Sequence, residues 1–125
     1  MKMRNEDVMR IAFQLGWNAT IQWKQNAWCF DFHRKTLSGV PFCFTVTSPN
    51  EEDCQTVADE VFSLAYSIDP SACAEEWMIQ TGVVAPSRYH QAVVDMEDIR
   101  QRVQQLAFCL SVGSLALAPL LGESC

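Results

Sequence analysis

Apolar residues recur every second position in the region between Trp17 and Val46, which is typical of strands that bury one face. The predicted inward positions of three strands are Ile21 and Trp23, then Trp28, Phe30 and Phe32, then Val40, Phe42, Phe44 and Val46. Polar and glycine-containing segments at Lys24 to Ala27 and Arg34 to Gly39 predict the turns. The pattern therefore predicts a three-stranded antiparallel meander with one aromatic face.

Helical spacing of three and four residues precedes and follows the strands. The first stripe is Val8, Ile11, Ala12 and Leu15, the second runs from Val57 through Val61 to Ile68, and the last runs from Ala92 through Ile99 to Leu110. Ser48-Pro49 predicts the start of the second helix, and Asp69-Pro70 predicts the start of a shorter third helix that ends at Gly82. Ser87 is the predicted cap of the last helix.

An aromatic sheet face needs a helical layer against it, and the apolar helix stripes provide one. We expect an α+β fold in which an N-terminal helix and the meander are followed by three helices packed on one face of the sheet. A chain of 125 residues forms one domain of this kind, residues 1–125.

The C-terminal segment 106–125 is an apolar tail that Gly113 and Pro119 interrupt, and it falls short of the ~20 apolar residues that span a bilayer. Three roles remain open for it. It extends the last helix into the core, docks on a second copy of the chain to give a homodimer, or forms an exposed patch that binds a partner.

Acidic residues dominate the middle of the chain, since no Lys or Arg lies between Lys35 and Arg88. The net charge of −6 argues against direct binding to nucleic acid or to an anionic membrane, because both would repel the chain. A basic protein is the favoured partner. The acidic residues predicted to contact it are Glu51, Glu52, Asp59, Glu60, Glu75 and Glu76.

The six cysteines include no C-x-x-C pair, so the sequence predicts no metal site, and the polar N-terminus predicts a cytoplasmic protein with reduced thiols. Alternation along the strands places a second set of residues opposite the aromatic face: Cys29, Asp31, His33 and Cys43, with Thr45 and Thr47. Cys43 is expected opposite Asp31 or Cys29. A thiol beside His and Asp is the basis for an alternative hypothesis of a thiol-dependent enzyme.

No other motif in the sequence indicates catalysis or a bound cofactor. The chain has no G-x-G-x-x-G, no phosphate-binding loop and no nucleophile elbow. Glu75 and Glu76 are neighbours on a helix, so their carboxylates diverge. We therefore expect a protein that is not an enzyme and carries no cofactor.

One set of residues carries a resemblance to known proteins: Asp69-Pro70, Glu75, Trp77, Gly82, Pro86-Ser87, Asp95, Ile99 and Leu106-Ala107. Their order resembles that in a group of small uncharacterised proteins of gut bacteria, which are often associated with mobile genetic elements. The resemblance implies no catalytic residues, because the group has no established activity. It favours a partner that is a nucleic-acid enzyme of a defence or transfer system.

The sequence thus predicts a non-enzymatic protein-binding domain that contacts a basic partner through acidic helices and acts as an inhibitor or modulator. One alternative is a structural subunit that self-associates through the last helix and the apolar tail. The other is the thiol-dependent enzyme on the polar sheet face.

Overall fold

One helix, three strands and three further helices follow one another in the computed structural model, which describes residues 5–48, 54–82 and 85–112. The elements are α1 (Asn5–Gln14), β1 (Asn18–Lys24), β2 (Ala27–Lys35), β3 (Pro41–Ser48), α2 (Cys54–Ser67), α3 (Pro70–Thr81) and α4 (Pro86–Val112). This order confirms the predicted α+β fold.

The three strands form one antiparallel sheet in the order β1-β2-β3. Gln25 and Asn26 connect β1 to β2 with φ angles of 54° and 62°. Positive φ at both central residues is typical of the type I′ hairpin turn, whose twist matches that of the flanking strands. A longer loop, residues 36–40, connects β2 to β3, and both turns lie where the sequence predicted them.

The aromatic face of the sheet forms one side of the hydrophobic core. Phe30 and Phe32 are fully buried, and the ring of Phe32 stacks on that of Phe44 with centroids 5.1 Å apart. Trp17, which precedes β1, is also buried and packs edge-on against Phe32 and Phe44. At the margins of this face, Trp23 lies opposite Trp28 and on the predicted face but is exposed, because it stands beside the hairpin turn. Val40 is also exposed, and it lies in the β2–β3 loop instead of in β3, where it was predicted.

The second half of α4 is the central helix of the core. Its buried residues meet those of α1, α2 and the sheet in one cluster; they are Ile99, Val103, Leu106, Ala107, Cys109 and Leu110. Residues 106–112 therefore extend the last helix into the core, one of the three roles predicted for the tail, whereas residues 113–125 lie outside the described part. Burial raises the pKa of the Cys109 thiol, which keeps it protonated.

Helix α3 is bounded by the two signals that the sequence contains. The Asp69 carboxylate accepts hydrogen bonds from the amides of Ser71 and Ala72, at 3.1 and 3.2 Å. Gly82 ends the helix with φ of 72°, and its amide donates to the Met78 carbonyl. α3 packs against the first half of α4, whereas α2 packs against the second half.

The start of α4 differs from the prediction, whereas the predicted start of α2 falls largely outside the described residues. Ser48 is the last residue of β3 and is buried, so it belongs to the sheet. Residues 49–53, which include the predicted first turn of α2, lie outside the described part of the chain. α4 begins at Pro86, one residue before the predicted cap Ser87.

Candidate functional site

The acidic residues predicted to bind a partner fall in two separate places. Glu51 and Glu52 lie outside the described residues. Asp59 and Glu60 are exposed on α2, and Glu75 and Glu76 are exposed on α3. Because α2 and α3 pack along different halves of α4, the described acids form two surfaces instead of one.

Glu60 has a structural contact at the edge of the sheet. Its Oε2 accepts a hydrogen bond of 3.0 Å from the backbone amide of Thr47 in β3. β3 is an edge strand, and this amide points away from β2. The Glu60 carboxylate therefore covers one donor of an edge that would otherwise be open to another strand.

The α3 acids are differently placed, on the outward surface of their helix. Glu76 accepts a hydrogen bond of 3.3 Å from Gln80, and no Lys or Arg of the described residues forms an ion pair with Glu75 or Glu76. Ile79 follows four residues after Glu75 and is 81 % exposed. We call Glu75, Glu76 and Ile79 the α3 outer surface; it combines negative charge with one large apolar side chain.

The polar face of the sheet brings together a different pair from the one predicted. Cys43 lies directly opposite His33, and Asp31 lies opposite Thr45. The prediction that Cys43 faces Asp31 or Cys29 is therefore wrong, because the two strands pair in a different register from the expected one. The Thr45 hydroxyl donates a hydrogen bond to the Asp31 carboxylate.

Strand geometry brings the Cys43 and His33 side chains close together. Because the Thr47 amide points to Glu60, alternation along β3 places Thr47, Thr45 and Cys43 in the non-hydrogen-bonded pairs with β2. In such pairs the Cα atoms are about 4.5 Å apart and the side chains are in reach of each other. Cys43 and His33 are both exposed, whereas Cys29 is buried.

A cavity of about 320 Å³ lies where the β2–β3 loop, α3 and the first half of α4 meet, and we call it the α3–α4 cavity. Its lining residues are Thr36, Ser38, Val40, Cys73, Ala74, Trp77, Arg88, Gln91, Ala92, Asp95 and Met96. Most of this surface is apolar. The sequence pattern does not predict this site, because its walls come from three elements that are distant in the sequence.

Asp95 is the buried acidic residue of the cavity, with 4 % of its surface exposed. Its Oδ1 accepts a hydrogen bond of 2.8 Å from Gln91 Nε2, and its Oδ2 accepts one from the Ser38 hydroxyl. Ser38 belongs to the β2–β3 loop, so the carboxylate joins that loop to α4. The Thr36 side chain accepts from the Val40 amide at 3.0 Å and helps to hold the loop's shape.

The described residues contain no group of three or more His, Cys, Asp or Glu side chains arranged to hold a metal ion. None of the helices in the described ranges has the length and apolar character needed to cross a membrane.

The candidate functional sites are the α3 outer surface, the Cys43–His33 pair and the α3–α4 cavity. Their geometry must carry the functional assignment, because no protein-family profile, curated protein or solved structure matches the chain.

Proposed function

We propose that the chain is a non-enzymatic, cytoplasmic binding domain that contacts a basic protein through its acidic helices, with the α3 outer surface as the main contact. The observation that carries this proposal is Ile79, a large apolar side chain that is exposed one helical turn after Glu75 and Glu76. A desolvated apolar contact with charges at its margin is the usual composition of a protein interface.

Charge supports a basic partner. The chain carries a net charge of −6, and α3 contains no basic residue that would neutralise its acids. Complementary charge accelerates association and selects among partners more than it strengthens the final complex. The resemblance to proteins associated with bacterial mobile elements makes a nucleic-acid enzyme the partner class we propose, with the acidic surface acting as an inhibitor or modulator.

Neutralising the α3 acids is the test of this function. The variant E75Q/E76Q should bind its partner roughly 2- to 30-fold more weakly, since exposed ion pairs contribute about 0.2 to 1 kcal/mol each. Its binding should also depend less on salt than that of the parent chain. The measurement is affinity capture from host cell extract at low and high salt, with mass spectrometry of the captured proteins and titration of the partner found.

A matched control separates this surface from total charge. E6Q/E97Q changes the net charge by the same amount at exposed positions on α1 and on the outer side of α4. It should leave capture at the parent level. Equal loss in both double variants would show a response to net charge alone, and no loss in E75Q/E76Q would remove the α3 outer surface from the proposal.

A second function, thiol chemistry at Cys43, is favoured by one observation: the register that places His33 directly opposite the thiol. An adjacent imidazole can take up the thiol proton and so produce the nucleophilic thiolate. Against it, both side chains are exposed, and the Asp31 carboxylate accepts from Thr45.

Alkylation rates test this second function. Cys43 should react with iodoacetamide several-fold faster near neutral pH in the parent chain than in the H33A variant, as followed by mass spectrometry of the peptide that contains it. H90A is the matched control, because His90 is exposed on α4 and absent from the sheet. Equal Cys43 rates in all three proteins would rule out assistance by His33.

Fewer residues are available for self-association than the sequence predicted. The apolar stripe of α4, which was the predicted dimer seam, is buried within the same chain. A homodimer therefore stays a prediction that rests on residues 113–125, outside the described part of the chain.

A further inference from the structure

The α3–α4 cavity has an apolar middle between two polar ends. The apolar walls are Val40, Ala74, Trp77, Ala92 and Met96. The buried Asp95 and the exposed Arg88 both line the cavity from α4, and their separation of seven residues along that helix defines an Asp95 end and an Arg88 end. This arrangement of an apolar body and a few convergent polar groups is typical of small-molecule sites, and about 320 Å³ lies at the small end of their range.

The Asp95 end is a place for a hydrogen-bond donor. A carboxylate offers about four acceptor positions, and the two protein donors Gln91 and Ser38 use two of them. The remaining acceptor positions of the Asp95 carboxylate can accept from a ligand. Because this carboxylate is buried, a charge-assisted hydrogen bond to it is stronger than one at the surface. An ammonium or another N–H group is the complementary ligand chemistry.

The Arg88 end is a place for an anion. Arg88 lies seven residues before Asp95, which on a helix corresponds to about 10.5 Å along the same side. No carboxylate of the described residues forms an ion pair with its guanidinium. The length and flexibility of the arginine side chain allow it to approach a carboxylate that sits closer to Asp95.

We infer that the α3–α4 cavity binds a small molecule of the aromatic amino acid class, with its ammonium at Asp95, its ring against Trp77 and Met96, and its carboxylate at Arg88. The aromatic ring is favoured because Trp77 and Met96 both make good contacts with ring faces and edges. This site is independent of the α3 outer surface, because residues 73, 74 and 77 face inward on the helix whereas 75 and 79 face outward.

Three probes that share one ring test the inference. Phenylalanine carries both charged groups, phenethylamine carries only the ammonium and 3-phenylpropionate carries only the carboxylate. We expect phenylalanine to bind, and each of the other two to bind roughly tenfold or more weakly, because each lacks one charge-assisted hydrogen bond. Binding is measured by titration calorimetry and by protection of Cys73, a half-buried thiol in the cavity wall, from iodoacetamide.

Two variants assign the ends of the ligand. In R88Q, phenylalanine should lose its advantage over phenethylamine, and in D95N it should lose its advantage over 3-phenylpropionate. Because Arg88 is exposed, R88Q should leave the fold intact. R88Q therefore tests the inference even if D95N destabilises the protein. A third variant, A92L, fills part of the cavity and should weaken all three probes.

The inference is overturned by any of three results. The first is the absence of heat and of Cys73 protection with all three probes at millimolar concentration. The second is equal affinity for the three probes, which would show an apolar cavity without polar selection. The third is an unchanged preference for phenylalanine in R88Q. Loss of binding in E75Q/E76Q is not expected, so failure here and failure of the proposed protein contact are distinguishable.

Discussion

Phe32→Ala should lower the free energy of unfolding by about 3 to 5 kcal/mol, the range for deleting a large aromatic side chain from a core. Phe32 is fully buried at the middle of the central strand. Its ring contacts Trp17 and Phe44 and stacks near Phe30, with centroids 6.3 Å apart for the last pair. The substitution therefore leaves a cavity and removes three ring contacts. Urea denaturation followed by far-ultraviolet circular dichroism measures the change.

Trp23→Ala is the control for Phe32→Ala, because it removes a larger ring from the same sheet at a position that is 53 % exposed. Trp23 contacts Trp28 edge-on, with centroids 5.1 Å apart. Losing that ring pair lowers the free energy of unfolding by about 0.5 to 1.5 kcal/mol, in addition to the effect of the apolar area that the pair buries. A cost for Trp23→Ala equal to that for Phe32→Ala would contradict the assignment of the core to the middle of the sheet.

Leu106→Ala should lower the free energy of unfolding by about 2 to 5 kcal/mol, since Leu106 is fully buried in the cluster that α4 forms with α1, α2 and the sheet. The result also tests the division of the C-terminal segment, because the core assignment of residues 106–112 depends on side chains such as this one. The measurement is the denaturation midpoint together with the slope of the transition, which reports whether the native state stays compact.

Gln104→Ala, two residues earlier on the same helix, provides the comparison. Gln104 is exposed, and alanine has the higher helix propensity, so stability should change by less than about 0.5 kcal/mol. If Leu106→Ala were equally mild, the second half of α4 would not be part of the core, and the whole segment 106–125 would be available for self-association.

Local sequence signals predicted the elements whose ends are fixed by their own residues. Asp69 and Gly82 bound α3 because a side-chain cap and a left-handed C-terminal residue act within a few positions of themselves. The strands were predicted by period-two alternation, and the hairpin turn by its polar residues. Ser48 ends β3 and is buried there, whereas the first turn of α2 that the Ser-Pro pair predicts falls on residues 49–53, outside the described part of the chain.

Strand register could not be obtained in the same way. The loop of residues 36–40 sets which residue of β3 faces which residue of β2, and the sequence pattern allows several loop lengths with the same alternation. That freedom is why Cys43 was expected opposite Asp31 or Cys29 and lies opposite His33. The two faces of the sheet were predicted correctly because alternation alone assigns residues to them. The pairs of residues across the strands were not predicted correctly.

The α3–α4 cavity was missed because it exists only after packing. Asp95 did give a signal: it follows Ala92 by three residues and precedes Ile99 by four, so an acid lies on the apolar side of α4. A buried carboxylate requires partners, and Gln91 lies four residues before it on the same helix. Ser38, Trp77 and Cys73 gave no comparable signal, since nothing local brings the β2–β3 loop or α3 to that point.

Helix α3 holds its own ends with Asp69 and Gly82, and it contributes none of the residues of the main core cluster. Helix α3 and its contacts with α4 therefore form a local unit, and opening this unit costs less free energy than global unfolding. Such an opening would widen the path to Asp95 while the sheet and the second half of α4 stay assembled. The proposed ligand would then enter and leave beside α3, while the residues of the core cluster keep the rest of the chain folded.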